Sequence, residues 1–241
     1  MKYMGSKTKI AKDIVPIINA IIHENNYKTY IEPFVGGANV IDKIICQERI
    51  GYDLNPYLIG LLKYVRDDGV LLDEVPRELY NKVRKNYKSG IYEDWYVGNI
   101  GFLASSLGRF FDGGYAKPSC EKGKIRNYYQ EAKRNLSKQA PDLKGIKFYK
   151  ENYSNLNPCN CMIYCDPPYA EKKQYSVSKN FDYNKFWDTM RRWSKDNYVL
   201  VSELNAPDDF ICVWERPTRR TIKVKDKSII ATEKLFIWED L

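Results

Sequence analysis

The sequence predicts an α/β fold with a mostly parallel sheet, interrupted by a long helical insertion. The first 56 residues alternate between helix and strand patterns, and such alternation is typical of parallel sheets. Acidic motifs fall at the carboxyl ends of predicted strands at three places, where ligands of open α/β sheets bind. Residues 57–145 are instead rich in Lys, Arg, Tyr and Gly and show no strong strand pattern. A chain of 241 residues fits one domain with such an insertion.

The beginning of the chain reads as helix, strand, helix, strand. Isoleucines recur there at helical spacing, and short apolar runs follow them. The predicted elements are a helix over 8–25, a strand over 28–35, a helix over about 38–46 and a strand over 48–54. Gly36 and Gly37 follow the first strand, so the backbone there can approach a ligand closely.

The rest of the chain divides into the insertion and a return to the sheet. Helices in the insertion are predicted over about 57–67, 76–87 and 126–139, around a glycine-rich stretch at 98–123. After it, strands are predicted over 146–152, 161–165, 198–202, 210–215 and 233–238, with a helix over about 183–195 and a hairpin partner at 219–225. This gives about seven sheet strands, a main domain of residues 1–56 and 146–241, and an inserted subdomain of residues 57–145.

Charge and aromatic content favour a polyanionic partner. The chain has 39 Lys and Arg against 31 Asp and Glu, a net charge of +8, which promotes association with nucleic acid. Its 20 tyrosines, many of them beside Lys or Arg, suit contacts with bases and phosphates. Neither a membrane span nor a signal peptide is evident, so a cytoplasmic protein is expected.

Histidine and cysteine usage excludes several kinds of chemistry. His23 is the one histidine of the sequence, so Ser-His-Asp and Cys-His catalysis are not predicted. Cys159, Cys161 and Cys165 cluster, but no second ligand pair lies near them. The prediction is therefore reduced thiols and no metal site.

The tetrapeptide Asp166-Pro167-Pro168-Tyr169 carries the most chemistry. It follows the apolar run 162–165, which predicts a buried strand. The Asp166 carboxylate and the Pro167 carbonyl can accept hydrogen bonds from an exocyclic amine, the prolines fix these acceptors, and Tyr169 offers a stacking face. The structural alternative is a strand that ends in a tight Pro-Pro turn.

Two further acids lie near the carboxyl ends of predicted strands. Glu32 precedes the Gly36-Gly37 turn, and Asp53 lies 21 residues further on, which suits an acid that binds ribose hydroxyls. The turn lacks the full G-x-G-x-x-G fingerprint. The alternative for the glycines is an ordinary strand-to-helix turn. The alternative for Asp53 is an acid that caps the next segment.

Together these segments resemble the Dam-like (class alpha) family of site-specific DNA N6-adenine methyltransferases. The matching segments are Tyr3-Met4-Gly5-Ser6-Lys7, Glu32-Pro33-Phe34-Val35-Gly36-Gly37-Ala38, Asp53-Leu54-Asn55 and Asp166-Pro167-Pro168-Tyr169. Their order also matches that of the family: methyl-donor motifs, an inserted target-recognition region, then the catalytic motif. The resemblance covers most of the chain and implies the class I methyltransferase fold, which is Rossmann-like with a seven-stranded, mostly parallel sheet.

The resemblance also implies S-adenosylmethionine as methyl donor, with S-adenosylhomocysteine as product. Lys7 would contact the methionine carboxylate, Phe34 would pack beside the sulfonium, and Asp53 would bind the ribose. Asn152 and Tyr153 would border the adenine of the donor. The implied donor-binding residues are Tyr3, Met4, Gly5, Ser6, Lys7, Glu32, Pro33, Phe34, Gly36, Gly37, Asp53, Leu54, Asn152, Tyr153 and Asp166. The motif departs from the family in one place, where Ala38-Asn39 stands instead of a further glycine or serine.

The implied catalytic residues are Asp166, Pro167, Pro168 and Tyr169. Hydrogen bonds to Asp166 and Pro167 would localise the lone pair of an adenine amine, with no metal and no covalent enzyme intermediate. Because a base inside a duplex cannot reach such a pocket, it would be flipped out and stacked on Tyr169.

The loop at 107–115 resembles the DNA-contacting loop of the family, in which an aromatic residue wedges into the base stack. Phe111 aligns with that residue, and Tyr115 is close enough to compete. The implied DNA-binding residues are Arg109, Phe111, Asp112, Tyr115, Lys124 and Arg126. Core packing is the alternative for Phe111. Near the end of the sequence Arg216, Arg219 and Arg220 could form a second phosphate patch.

Double-stranded DNA is the expected partner, bound by a monomer in solution that can pair on DNA. Two other functions stay open from the residues alone. One is methylation of another amine, such as an RNA adenine, cytosine N4 or a protein glutamine. The other is a catalytically silent DNA-binding protein.

Overall fold

A seven-stranded sheet organises the molecule. The computed structural model describes residues 1–121, 123–168, 181–224 and 227–239. The strands are β1 (Thr29–Glu32), β2 (Glu48–Asp53), β3 (Ser119–Glu121), β4 (Lys124–Arg126), β5 (Ile146–Lys150), β6 (Met162–Cys165), β7 (Tyr198–Glu203), β8 (Phe210–Val224) and β9 (Lys227–Trp238). The sheet order is β5-β2-β1-β6-β7-β9-β8, while β3 and β4 form a separate antiparallel pair. The first five sheet strands in this order are parallel, and β9 is antiparallel to both of its neighbours.

The prediction of seven sheet strands is confirmed, with one correction at the end of the sequence. Residues 219–225 were expected as a separate hairpin partner. Instead β8 runs unbroken from Phe210 to Val224 and pairs with β9 along its length, with two register shifts.

Helices cover both faces of this sheet and form most of the insertion. They are α1 (Ala11–Glu24), α2 (Pro56–Arg66), α3 (Arg77–Asn86), α4 (Asp94–Gly98), α5 (Tyr128–Gln139) and α6 (Tyr183–Ser194). α2 begins at a typical cap, because the Asn55 side chain accepts hydrogen bonds from the amides of Tyr57 and Leu58 and Pro56 occupies the first turn. α4 continues into a π-helical turn over Asn99–Leu103.

The helix predicted over 38–46 is wrong. The structure has a turn there and a short 3-10 helix over Ile41–Lys43. Ala38 takes a left-handed φ of 54°, which ends regular helix geometry. The amide of Gln139 donates to the carbonyls of Gly37 and Ala38, at 3.2 and 2.8 Å. These carbonyls are therefore satisfied by a residue distant in sequence rather than by a local helix.

The sheet is buried on both faces, which explains its continuous apolar runs. Successive residues of a strand point to opposite faces. Tyr164 therefore joins the core under α1 and α2, and Ile163 joins the core under α6. Isoleucines at helical spacing, Ile14, Ile18 and Ile22, bury one side of α1.

The insertion shares the larger core with the sheet. α2, the first helix of the predicted 57–145 range, packs against β2, β5 and α4. At the α2–α4 contact a side chain on Gly98 would lie 2.2 Å from the Tyr57 carbonyl oxygen, so a glycine is required. The chain leaves the sheet after β2 and returns at β5, so the insertion is attached at the β5 end of the sheet.

Candidate active site

Three acidic residues meet at one edge of the sheet. Glu32 ends β1, Asp53 ends β2, and Asp166 follows β6 directly. These three strands are parallel, with β1 in the middle. Their carboxyl ends therefore lie side by side, as expected from the sequence pattern.

Asp53 is held by backbone amides. Its two carboxylate oxygens accept hydrogen bonds from the amides of Asn55 (2.9 Å) and Gly36 (3.2 Å). Burial raises the pKa of Asp53 to about 6, against the opposing effect of these hydrogen bonds. Each carboxylate oxygen has two acceptor sites, so the group can also accept from ligand hydroxyls.

Glu32 lies beneath this edge and is 3% exposed. The Tyr30 hydroxyl donates to it at 2.7 Å. Burial raises the pKa of Glu32 well above its usual value, and the charges of Asp42 and Asp166 add to that rise. Glu32 is therefore harder to ionise than an exposed glutamate, and its hydrogen bond stabilises the end of β1.

Asp166 forms an ion-pair cluster with Lys7 and Glu233. The Lys7 ammonium lies 3.1 Å from an Asp166 oxygen and 2.9 Å from a Glu233 oxygen. Lys7 is 7% exposed, so its charge is shielded from water and balanced by the two carboxylates. The predicted partner of Lys7 was the methionine carboxylate of the donor, and that contact stays a prediction. Glu233 was not identified from the sequence, because it lies on β9, 226 residues from Lys7.

The segment Tyr3-Met4-Gly5-Ser6 crosses the turn after β1. A Cβ on Gly37 would lie 2.6 Å from the side-chain Nδ2 of Asn39 and 2.8 Å from Tyr3 Cβ, so this glycine lets Tyr3 pack against the turn. Burial raises the pKa of the Tyr3 phenol, and the charges of Asp53 and Asp166 raise it further. Tyr3 thus packs against both glycines of the turn after β1.

Phe34 belongs to an aromatic cluster beside Asp53. Its ring centre is 5.2 Å from that of Tyr153 and 5.9 Å from those of Phe181 and Phe186. The Asn152 side chain accepts a hydrogen bond from the Ser154 amide at 3.0 Å and so caps the turn that carries Tyr153. The structure thus brings together Phe34 and Tyr153. From the family resemblance, Phe34 was expected beside the sulfonium of the donor and Tyr153 beside its adenine.

The remaining predicted donor residues differ in exposure. Pro33 is buried, Met4 and Ser6 are half-buried, and Gly5 and Leu54 are exposed.

A hydrogen bond from the first residue of α6 stabilises the Pro-Pro turn. Pro167 is buried and Pro168 half-buried, and the Tyr183 hydroxyl donates to the Pro168 carbonyl at 2.6 Å. Tyr183 was not predicted, since nothing local connects it to the motif. Tyr169 lies outside the described residues.

The aromatic residues of the 107–115 loop face the core of the insertion. Phe111 is 4% exposed and packs 5.3 Å from Tyr80, ring centre to ring centre. The Tyr115 hydroxyl donates to the Val75 carbonyl at 2.9 Å. In contrast Leu107, which has a left-handed φ of 60°, is 63% exposed. Core packing, the alternative for Phe111, therefore describes this structure, and Phe111 would have to leave the core to enter a base stack.

The predicted polar DNA contacts occupy varied positions. Arg109 is half-buried and Asp112 is exposed on the same loop. Arg126 is exposed, pairs with Glu131 at 2.8 Å and lies 4.9 Å above the ring of Tyr128. Lys124 lies on β4, in register with Glu121 of β3.

The strand order, the acids at three parallel strand ends and the Gly-Gly turn define a class I S-adenosylmethionine-dependent methyltransferase fold. The residues present fit this donor chemically. Asp53 supplies acceptors for ribose hydroxyls, and Phe34 supplies an aromatic face for a sulfonium.

Comparison with known proteins finds similarity to adenine-specific DNA methyltransferases. Residues 3–97 match the family model of D12 class N6 adenine-specific DNA methyltransferases. A relative, the type II methyltransferase M.MjaIII of Methanocaldococcus jannaschii, is 26% identical over an alignment that covers 76% of this chain and 74% of that protein. Both matches agree with the resemblance to Dam-like DNA adenine methyltransferases, and S-adenosylmethionine is the methyl donor that this class of fold implies.

Solved structures of similar shape include two methyltransferase candidates. The RNA methyltransferase candidate PH1948 from Pyrococcus horikoshii aligns with a TM-score of 0.46 and 9% identity, over 99% of this chain and 87% of that one. The candidate SMU.472, complexed with S-adenosylhomocysteine, aligns with a TM-score of 0.36 and 12% identity, over 96% and 54%. The strand order described above carries the fold assignment. Among the described helices, none is long and apolar enough to cross a membrane.

Proposed function

We propose that this protein methylates N6 of an adenine within a short DNA sequence, after that adenine has been flipped out of the duplex. The observation that carries the proposal is the position of Asp166. It lies directly after β6, one strand away from Glu32, and its ion pair with Lys7 ties it to the segment that crosses the Gly-Gly turn. An acceptor for the substrate amine and the residues expected to hold the donor therefore share one edge of the sheet.

The chemistry required is the activation of a weak nucleophile. The lone pair of the adenine amine is delocalised into the ring. Hydrogen bonds from the amine to the Asp166 carboxylate and to the Pro167 carbonyl would localise it on nitrogen. The donor, when bound, supplies an electrophilic methyl group on a positively charged sulfur. The chain contributes mainly positioning and preorganised electrostatics.

Lys7 and Glu233 have a supporting role in this proposal. The Lys7 ammonium lies 3.1 Å from an oxygen of Asp166 and balances the charge of its carboxylate. An ionised carboxylate only accepts hydrogen bonds, which suits contact with an amine. Glu233 holds the ammonium from the other side at 2.9 Å. Since Asp166 is engaged in an ion pair, the proton released after transfer goes to solvent rather than to Asp166.

The donor would be held by the neighbouring groups. Asp53 would accept hydrogen bonds from the ribose hydroxyls, and the ring of Phe34 would pack beside the sulfonium. Asn152 and Tyr153 would border the adenine of the donor. The cap that Asn152 forms on the turn supports this role, because it fixes where Tyr153 lies.

Extrusion of the target adenine needs a group that fills the gap in the duplex. Leu107 is the exposed apolar residue of the predicted recognition loop. Phe111 or Tyr115 could serve only after the loop rearranges, because both contact the core of the insertion.

The direct test is to incubate the protein with unmethylated duplex DNA and S-adenosylmethionine and to map modified bases by single-molecule sequencing. We expect N6-methyladenine within one short sequence motif. Methylated cytosine would show a different acceptor. Absence of modification from DNA, with methylation of RNA in a parallel reaction, would overturn the choice of duplex DNA. Asp166→Ala is the matched control and should form product at least about 100-fold more slowly while it still binds the donor.

A further inference from the structure

The strands β8 and β9 extend beyond the rest of the sheet. β9 is in register with β7 at Lys234, Leu235 and Phe236, opposite Glu203, Ser202 and Val201. Before Lys234, residues 227–233 pair with β8 alone, over residues 216–224. We call this two-stranded segment, residues 216–224 and 227–233, the ribbon. At about 3.3 Å per residue it is roughly 25 Å long.

The ribbon projects from the edge that carries the active site. Glu203 is the last residue of β7, which is parallel to β6. Because β9 continues past the carboxyl end of β7, the ribbon leaves the sheet on the same side as Asp166. Its base is fixed there by Glu233, which contacts Lys7 at 2.9 Å, and by Arg216, which forms an ion pair with Asp13 of α1.

Beyond this base the ribbon is basic. Residues 217–224 and 227–232 contain Arg219, Arg220, Lys223 and Lys227 and no acidic residue. The whole chain, by comparison, has 39 basic and 31 acidic residues. An isolated two-stranded ribbon is marginally stable in water, so a partner that neutralises these charges would also stabilise it.

The position of the ribbon complements that of the insertion. The insertion is attached at the β5–β2 end of the sheet, and the ribbon is formed by β9 and β8 at the other end. Asp166, after β6, lies between them. A duplex placed with its target base at Asp166 would therefore reach both regions.

We propose that the ribbon is a second DNA-binding arm, which contacts phosphates of the duplex on the side of the target base opposite the insertion. The proposal rests on the proposed function, since it requires duplex DNA at this edge. The dimensions agree, because the major groove of B-DNA admits a two-stranded ribbon. Ile222, Ile229 and Ile230 on the same strands would suit a protein partner, but the excess of positive charge favours DNA.

The test compares two sets of four substitutions in the full chain. The ribbon variant carries Arg219→Ala, Arg220→Ala, Lys223→Ala and Lys227→Ala. The control variant carries Lys28→Ala, Lys144→Ala, Lys147→Ala and Lys195→Ala. These control lysines are exposed near the amino ends of the strands, at the opposite edge of the sheet. Both variants lose four positive charges, so a difference between them does not come from net charge.

Binding of fluorescent duplex DNA is measured by anisotropy over a range of salt concentrations. For the ribbon variant we expect an affinity at least tenfold lower. We also expect a slope of log K against log salt that is smaller by about 2 to 4, since each lost phosphate contact contributes about 0.9. The control variant should lose less than threefold. Equal losses in the two variants, or an unchanged salt slope in the ribbon variant, would overturn the proposal.

Two further measurements distinguish DNA contact by the ribbon from a role of the ribbon in folding or in catalysis. A charge-preserving variant with Arg219→Lys and Arg220→Lys should bind almost as tightly as the original chain. Its failure to do so would point to a structural role. With DNA at saturation, the ribbon variant should keep its kcat and show a raised KM for DNA. If the original chain binds duplex DNA but makes no methyladenine, the proposed function fails. The anisotropy comparison would still test whether the ribbon contacts DNA.

Discussion

The carboxyl edge of the sheet and the 107–115 loop of the insertion both contain residues assigned to function, but they hold them differently. At the sheet edge each acid directly follows or ends a strand and is fixed by backbone amides, by a tyrosine hydroxyl or by an ion pair. In the loop, Phe111 and Tyr115 contact the core, and Leu107 is exposed. Residues fixed by strand ends can be recognised from local sequence. Residues on a loop require the packing around them to be known.

The largest expected effect is at the sheet edge. Asp166→Ala should lower the rate of methyl transfer by about 100- to 1000-fold or more, because it removes a preorganised acceptor of the reacting amine. Donor affinity, measured by isothermal titration calorimetry, should stay within tenfold, since Asp53 and Phe34 are unchanged. A greater loss of donor affinity would place Asp166 in the donor site instead.

The second prediction separates packing from DNA contact in the loop. Phe111→Ala should lower the free energy of unfolding by about 3 to 5 kcal/mol, because it leaves a cavity beside Tyr80 and Phe110. Leu107→Ala should change it by less than about 0.5 kcal/mol, as expected at an exposed position. Urea unfolding of both variants measures this difference.

To test which loop residue promotes base extrusion, 2-aminopurine is placed at the target position of the DNA. Leu107→Ala should reduce the fluorescence increase on binding, which reports base extrusion. If Leu107→Ala leaves this signal unchanged while a folded Phe111 variant, such as Phe111→Leu, abolishes it, then Phe111 leaves the core on DNA and acts as the wedge.

The third prediction concerns the pH dependence of Asp53. Its pKa is about 6 in the folded protein against 3.8 ordinarily, so the folded state binds the proton more tightly than the unfolded state. Asp53 therefore makes the free protein less stable as pH rises from about 4 to 6. Donor affinity should do the opposite and weaken as pH falls below about 6, because a protonated acid accepts hydrogen bonds poorly.

Asp53→Asn tests both halves of this prediction. Donor affinity at pH 7 should fall about tenfold or more, since hydrogen bonds from ligand hydroxyls to a charged group contribute about 1.5 to 3 kcal/mol. The free variant should melt at the same or a higher temperature, with its pH dependence between 4 and 6 reduced. A lower melting temperature at pH 7 would show that the hydrogen bonds to Gly36 and Asn55 outweigh the cost of burying the charge.

The smallest expected effect is at Glu233. Glu233→Gln keeps the shape of the side chain but leaves Lys7 with Asp166 as its carboxylate partner within the ion-pair cluster. A stronger Lys7–Asp166 attraction would compete with the substrate amine, so kcat should fall by about 3- to 10-fold, an effect near 1 kcal/mol. The KM for the donor should hardly change. A rise in that KM with constant kcat would instead place Glu233 at the donor.

Local sequence predicted the sheet and its three acids because each signal lies within a few residues of the feature it marks. It did not predict the turn after Ala38, since the side chain that satisfies its carbonyls belongs to Gln139. Glu233 and Tyr183 were missed for the same reason, because each reaches the site from a distant element. The unbroken β8 was missed because Pro217 and the charged residues around it interrupt the apolar pattern between two short predicted strands.

The bonds from Gln139 have a consequence for communication between the two ligands. Gln139 ends α5, the last helix of the insertion, yet its amide also donates to Asp42 at 2.7 Å and holds the carbonyls of Gly37 and Ala38. Any shift of α5 on DNA must therefore move or break contacts at the turn expected to surround the methionine part of the donor. Such a linkage is reciprocal: whatever factor DNA applies to donor affinity, the donor applies to DNA affinity. One glutamine thus couples the affinity for one substrate to the affinity for the other through the fold.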